Sequence, residues 1–238
     1  MKIDILVFAA HPDDAELACS GTIMRMISLG HKVGIVDMTA GELGTRGSVE
    51  LRAQEAAASS EIMGLHVREN LGMRDGFFQH DEAHQLQIIR AIRRHQPEIL
   101  LINAPSDRHP DHGRASELVR DAAFLSGLRR IETEDGGLAQ VAWRPKKVWR
   151  YIQDQLLMPS FVVDITDHFE RKIAAIRAFG SQFYDPNSKE PETYISSSNF
   201  LEAIKARSQE MGHLIGVPYG EGFIAERPLR VDDLMDHL

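Results

Sequence analysis

The chain has 238 residues, 43% of them hydrophobic, a formal charge of −8 and a single cysteine. That length and apolar content suffice for one full hydrophobic core. The acidic balance excludes a broad nucleic-acid-binding face, which needs clustered basic surface. Lone Cys19 excludes an intrachain disulfide framework and an all-cysteine metal site.

A cysteine-poor chain fits a reducing compartment, so a cytoplasmic location is expected. The opening stretch MKIDILVFAAHPDD carries only a short apolar run that meets charge at once. It reads as a first strand rather than a signal peptide. No stretch approaches the ~20 apolar residues of a membrane span, so no membrane partner is expected.

IDILVFAA (3–10) is a near-continuous apolar run, the pattern of a strand buried on both faces. AELACSGTIMRMISLG (15–30) follows with helical spacing and a closing glycine. KVGIVDMT (32–39) predicts a second strand, and VELRAQEAAASSEIMG (49–64) a second helix. DEAHQLQIIRAIRRHQ (81–96) predicts a third helix, stopped by Pro97, with RRHQ as its solvated end. EILLIN (98–103) is another buried strand, and RASELVRDAAFLSG (114–127) another helix. ETEDGGLAQ (132–140) reads as an exposed acidic loop. Strands over 146–152 and 160–166 and helices over 168–180 and 199–212 complete the list. This alternation predicts an α/β fold with a largely parallel sheet and right-handed crossovers. One domain is expected, with a core over 1–145 and a C-terminal strand/helix extension over 146–238. Cys19, on an apolar helix, is expected in the core, and Trp143 and Trp149 are expected to pack unless they stack on a sugar.

Two motifs carry chemistry. AHPDDAE (10–16) directly follows the first strand, and DRHPDHGR (107–114) follows the EILLIN strand after a short loop. Ligands of open α/β sheets gather beyond the carboxyl ends of the strands, so the two motifs are expected to converge there. Imidazoles and carboxylates are ligands for zinc, and two histidines with one carboxylate also suit ferrous iron. The residues assign His11, Asp14 and His112 as metal ligands. Asp13 is then left as a general base beside the metal, and His109 as an acid or electrostatic group. No G-x-G-x-x-G follows the first strand, which disfavours a dinucleotide cofactor.

AHPDDAE paired with HPDH resembles the LmbE-like (PIG-L) family of zinc-dependent N-acetylglucosaminyl deacetylases. The resemblance extends to TAGELGTRG (39–47), LRAQEA (51–56), NLGMRDG (70–76), ETYIS (192–196) and GVPYGEGF (216–223). The last two are similar to the bacillithiol-biosynthesis branch, whose substrate resembles N-acetylglucosaminyl malate. The resemblance implies a Rossmann-like fold, one catalytic Zn2+ (with Fe2+ as the cellular alternative), and hydrolytic release of acetate from a small N-acetylated amino-sugar conjugate. It places the zinc ligands on His11, Asp14 and His112, the base on Asp13, and the first histidine of the late motif on His109. It further implies sugar binding by Arg52 and Asp75, orientation of a histidine by Asp111, and polarisation of the acetyl carbonyl by Tyr194. A homo-oligomer is implied, with a hexamer as the expected form. Two other functions fit the same residues: an amidase acting on a thiol conjugate, and a non-catalytic metal- or sugar-binding module. Arg46, Arg74 and Arg108 stand in loops near the strand ends, and Arg108 is the expected reader of an anionic group on the substrate.

Overall fold

The computed structural model describes residues 1–233 and 235. Its centre is a seven-stranded sheet with the order β3-β2-β1-β4-β7-β9-β8. In chain order the main elements are β1 (Ile5–Ala9), α1 (Asp14–Ser28), β2 (Val33–Thr39), α2 (Val49–Met63), β3 (Val67–Met73), α3 (Glu82–His95), β4 (Ile99–Ile102) and α4 (Pro110–Leu125). There follow a small hairpin of β5 (Glu134–Asp135) and β6 (Leu138–Ala139), then β7 (Lys147–Tyr151), β8 (Phe161–Asp164), α5 (Phe169–Arg177), α6 (Phe200–Leu214) and β9 (Gly220–Ala225). Strands β3, β2, β1, β4 and β7 run parallel, and β9 pairs antiparallel with both β7 and β8. Residues 147–225 therefore complete the sheet begun by the first half of the chain. Every residue of β1 and β2 is buried, as parallel strands covered on both faces require. Among the described residues no helix is long and apolar enough to cross a membrane.

The expected α/β architecture is the observed one, with four local corrections. β3 has the sequence VRENLGM and lies on the sheet edge, where half-exposed polar positions mask the strand pattern. β9 is GEGFIA, whose two glycines depress any strand propensity. The acidic loop over 132–140 contains the β5–β6 hairpin, its turn made by Gly136 and Gly137 at positive φ. α4 starts at Pro110 rather than at 114, because proline lacks only an N–H that a first helical turn leaves unpaired.

RRHQ is not a solvated end. Arg93 and His95 are buried, and Arg93 donates to the carbonyls of Ser126, Leu128 and Ile131. Both tryptophans pack: Trp143 donates to the carbonyl of Pro97, and Trp149 meets Phe161 edge-on.

α1 is broken at Cys19, whose φ of −142° and ψ of 16° are not helical. A break frees carbonyls on one side and N–H groups on the other. Glu221 of β9 accepts from the N–H groups of Gly21 and Thr22 at 3.0 and 2.7 Å. Lys172 of α5 donates to the freed carbonyl of Leu17 at 2.8 Å and to Glu221 at 2.6 Å. Both side chains are buried. The ion pair thus occupies the gap in α1, and Cys19 lies wholly in the core beside it.

Candidate active site

β1 and β4 are adjacent parallel strands, so the segments leaving their carboxyl ends lie side by side. One carries His11, Asp13 and Asp14; the other carries Asp107, His109, Asp111 and His112. Asp13 stands at the start of α1 with φ at 118°. That is a strained conformation for a residue other than glycine, of the kind found at functional sites.

Asp14 is buried and held on both oxygens. Oδ1 accepts from Gln153 Nε2 at 2.8 Å, and Oδ2 from the His11 backbone N–H at 3.0 Å and Asn103 Nδ2 at 3.3 Å. Burial pushes its pKa upward, but the neighbouring His112 and His11 overcome this and hold it well below the usual carboxylate range. His11 Nδ1 lies 3.6 Å from Asp14 Oδ2, and His112 Nε2 lies 3.1 Å from Asp14 Oδ1. The opposite nitrogen of each ring faces another carboxylate. His11 Nε2 is 2.9 Å from Asp75 and 3.3 Å from Asp111, and His112 Nδ1 is 2.8 Å from Asp107. Carboxylates behind metal-binding imidazoles fix tautomer and ring orientation in this way. Two imidazoles and one carboxylate, each braced from behind, make a donor set that fits a divalent metal.

His109 is the N-cap of α4, and its Nδ1 accepts from the Asp111 backbone N–H at 3.2 Å. The neutral ring therefore carries its proton on Nε2. Burial, followed by the adjacent His11 and His112, depresses its pKa. The ring nitrogens of His11, His109 and His112 come within 4.8 Å of one another.

Asp13 accepts from Arg52 at 2.7 Å. Its pKa is pushed up to about 6, chiefly by burial, with the Arg52 charge opposing. A cavity of about 400 Å³ opens over these groups.

Of the residues singled out from sequence, His11, Asp13, Asp14, Arg52, Asp75, Arg108, His109, His112 and Tyr194 all line this cavity. Asp111 stands behind His11, wholly buried, bonded to the Gly76 N–H and to Arg114. Arg52 and Asp75 face Asp13 and His11 directly. Tyr194 sits at the rim, half exposed, with its hydroxyl donating to Asp154. Arg74 is not part of the lining; its guanidinium lies over Phe77. Arg46 also lines the cavity, its guanidinium held by Glu190, Ser188 and the Phe183 carbonyl. Five participants were missed: Asn103, Asp107, Gln153, Asp154 and Arg207. The first four follow the carboxyl ends of β4 and β7, a position that marks them as site-facing in an open parallel sheet.

The family model PIG-L, GlcNAc-PI de-N-acetylase, matches residues 6–123. The diacetylchitobiose deacetylase of Thermococcus kodakarensis is 30% identical over 189 residues, spanning 75% of this chain and 70% of that one. A probable N-acetyl-alpha-D-glucosaminyl L-malate deacetylase 2 of Bacillus anthracis is 24% identical over 192 residues, spanning 75% of this chain and 81% of that one. The crystal structure of a conserved protein from Thermus thermophilus superposes with a TM-score of 0.87 at 35% identity, covering 98% of each chain. The sheet with a histidine–aspartate cluster at its carboxyl edge is the scaffold, and the family match with the deacetylase relative makes the chain an enzyme of the deacetylase class. The chain belongs to the PIG-L family.

Proposed function

We propose that the protein hydrolyses the acetamide of an N-acetylglucosaminyl conjugate, with N-acetylglucosaminyl malate as its substrate in bacillithiol biosynthesis. The observation that carries this reading is a spare carboxylate. Asp13 is paired with Arg52 and stands next to Asp14, yet is not needed to complete the set His11, Asp14 and His112. A module that only binds metal or sugar has no use for such a base. Zinc is the proposed ion, with ferrous iron as the alternative in the cell. When bound, such an ion supplies Lewis acidity that lowers the pKa of water and polarises the acetyl carbonyl.

Asp13 takes the proton of the attacking water; a pKa near 6 suits a base working at neutral pH. His109 presents Nε2–H to the carbonyl oxygen as negative charge develops there. Tyr194 has its hydroxyl on Asp154, so stabilising the oxyanion falls first to His109. When the tetrahedral intermediate collapses, the C–N bond breaks. Asp13 returns its proton to the departing amine, leaving acetate and the free amino sugar.

Arg108 at the rim supports an anionic aglycone, as does the relative from Bacillus anthracis. The higher identity to a diacetylchitobiose deacetylase favours a second reading, a neutral disaccharide. Acetate release from each compound by the purified, metal-loaded enzyme separates them. Faster release from the malate conjugate is expected; faster release from diacetylchitobiose selects the second reading, and release from neither overturns both. The proposed homo-oligomer is tested by sedimentation at micromolar concentration.

A further inference from the structure

Four side chains from separate parts of the chain meet at the cavity mouth. Arg108 comes from the loop before α4, Asp154 from beyond β7, Tyr194 from the segment before α6, and Arg207 from α6 itself. Three of them converge on the carboxylate of the fourth. The Tyr194 hydroxyl donates to Asp154 Oδ1 at 3.0 Å. Arg108 Nε stands 3.7 Å from Oδ2, and an Arg207 guanidinium nitrogen 3.8 Å from Oδ1. The Arg108 guanidinium also lies over the Tyr194 ring, 4.5 Å from its centroid.

A phenol and two guanidinium groups aimed at one point make an anion-binding arrangement. The anion found there belongs to the protein. Its two ion pairs exceed hydrogen-bond distance and are partly open to solvent, so screening leaves them weak. The Asp154 backbone, by contrast, is firmly held. Arg207 donates to the carbonyls of Gln153 and Asp154, and the Asp154 N–H donates to Asp107. The carboxylate itself is held by one hydrogen bond, from Tyr194, and the two long ion pairs.

We propose that Asp154 is a resident counter-ion. Its carboxylate occupies the position taken by the anionic group of the substrate, and a carboxylate-bearing conjugate binds by displacing it. Asp154 thereby sets how strongly the enzyme prefers anionic over neutral conjugates, an inference that rests on the deacetylation reading above. A neutral sugar enters without displacing it and gains nothing from Arg108 or Arg207.

The test compares wild type with Asp154→Asn and Asp154→Ala on two substrates, N-acetylglucosaminyl malate and its dimethyl ester. The ratio of kcat/KM, malate over ester, is expected to rise roughly 3- to 10-fold in both variants, the scale of a partly exposed ion pair and the like charge it carries. Calorimetry of free malate binding to the metal-loaded proteins provides a readout that needs no turnover, and affinity is expected to rise by a similar factor. An unchanged or lower ratio together with unchanged malate affinity overturns the proposal, since Asp154 would then only be aligning Arg108 and Tyr194. Wild type inactive on both substrates overturns the deacetylation reading instead, and calorimetry still decides the role of Asp154.

Discussion

The Asp107 carboxylate accepts from His112 Nδ1 at 2.8 Å on one oxygen and from the Gln155 backbone N–H at 2.9 Å on the other. One side chain thus ties a proposed metal ligand to the segment that carries Gln153 and Asp154. Asp107→Asn removes the charge behind the imidazole and leaves the shape. Metal affinity is expected to fall about 10- to 100-fold, read by competition with a chromogenic chelator. Unchanged affinity would show that Asp107 serves only the loop.

Asp13→Asn is expected to retain the metal and lose about 10²–10⁴-fold in kcat, the usual contribution of a general base. His112→Ala is expected to lose the metal itself. Elemental analysis beside steady-state kinetics distinguishes the two roles, and the reverse pattern would exchange them.

Stability of the metal-free protein is expected to fall as pH rises from 6.5 to 9. Burial lowers the pKa of His112, but Asp14 and Asp107 outweigh it and raise the value from 6.5 to about 9. His11 is raised in the same sense by Asp111, Asp14 and Asp75, against its own burial. A group that holds its proton more tightly when folded stabilises fully below its unfolded pKa, and that stability is lost as pH climbs through the folded value. The thermal midpoint of chelated protein should therefore drop across this window. Metal-loaded protein should show a flatter slope, because the ion replaces those protons. A flat profile for the chelated form would refute the assignment.

Arg108→Ala should lower kcat/KM for the malate conjugate roughly 5- to 20-fold, a charge-assisted contact discounted for partial exposure. Its side chain is 46% exposed, which keeps the loss below that of a fully desolvated pair. The neutral ester should change far less, and equal losses would remove Arg108 as the carboxylate reader.

Glu221→Ala strands a buried lysine and frees two backbone N–H groups. It should cost about 3–5 kcal/mol, the scale for breaking a buried pair from one side. The double variant Glu221→Leu with Lys172→Met should recover part of that loss in denaturant titrations. A loss under about 1 kcal/mol, typical of an exposed pair, would mean that water fills the gap in α1.

The parallel half of the fold was legible because strands buried on both faces must be continuously apolar, as ILVFA and VGIVDMT are. β3 and β9 were not, since an edge strand tolerates Arg68, Glu69 and Asn70, and Gly220 and Gly222 carry no side chain to signal a sheet. His11, Asp13, Asp14, His109 and His112 were legible because their types and spacing already imply metal chemistry. Asn103 and Gln153 were not: an amide has no chemistry of its own to announce, and only the adjacency of β1, β4 and β7 brings these two onto Asp14. Arg74 misled for the opposite reason. Its charge suggested a ligand, while Phe77 beside it already engages it; Arg46 does reach the cavity, with its guanidinium held by Glu190.

Glu221 reaches back 200 residues to complete α1. On a ribosome, the helix that begins beside Asp13 and Asp14 is made well before β9, yet it lacks its partner until β9 has left the exit tunnel. Pairings this distant in sequence are slow to form. The enzyme therefore completes α1 only once β9 is in place, and a chain released before β9 would hold every proposed metal ligand on an unfinished scaffold.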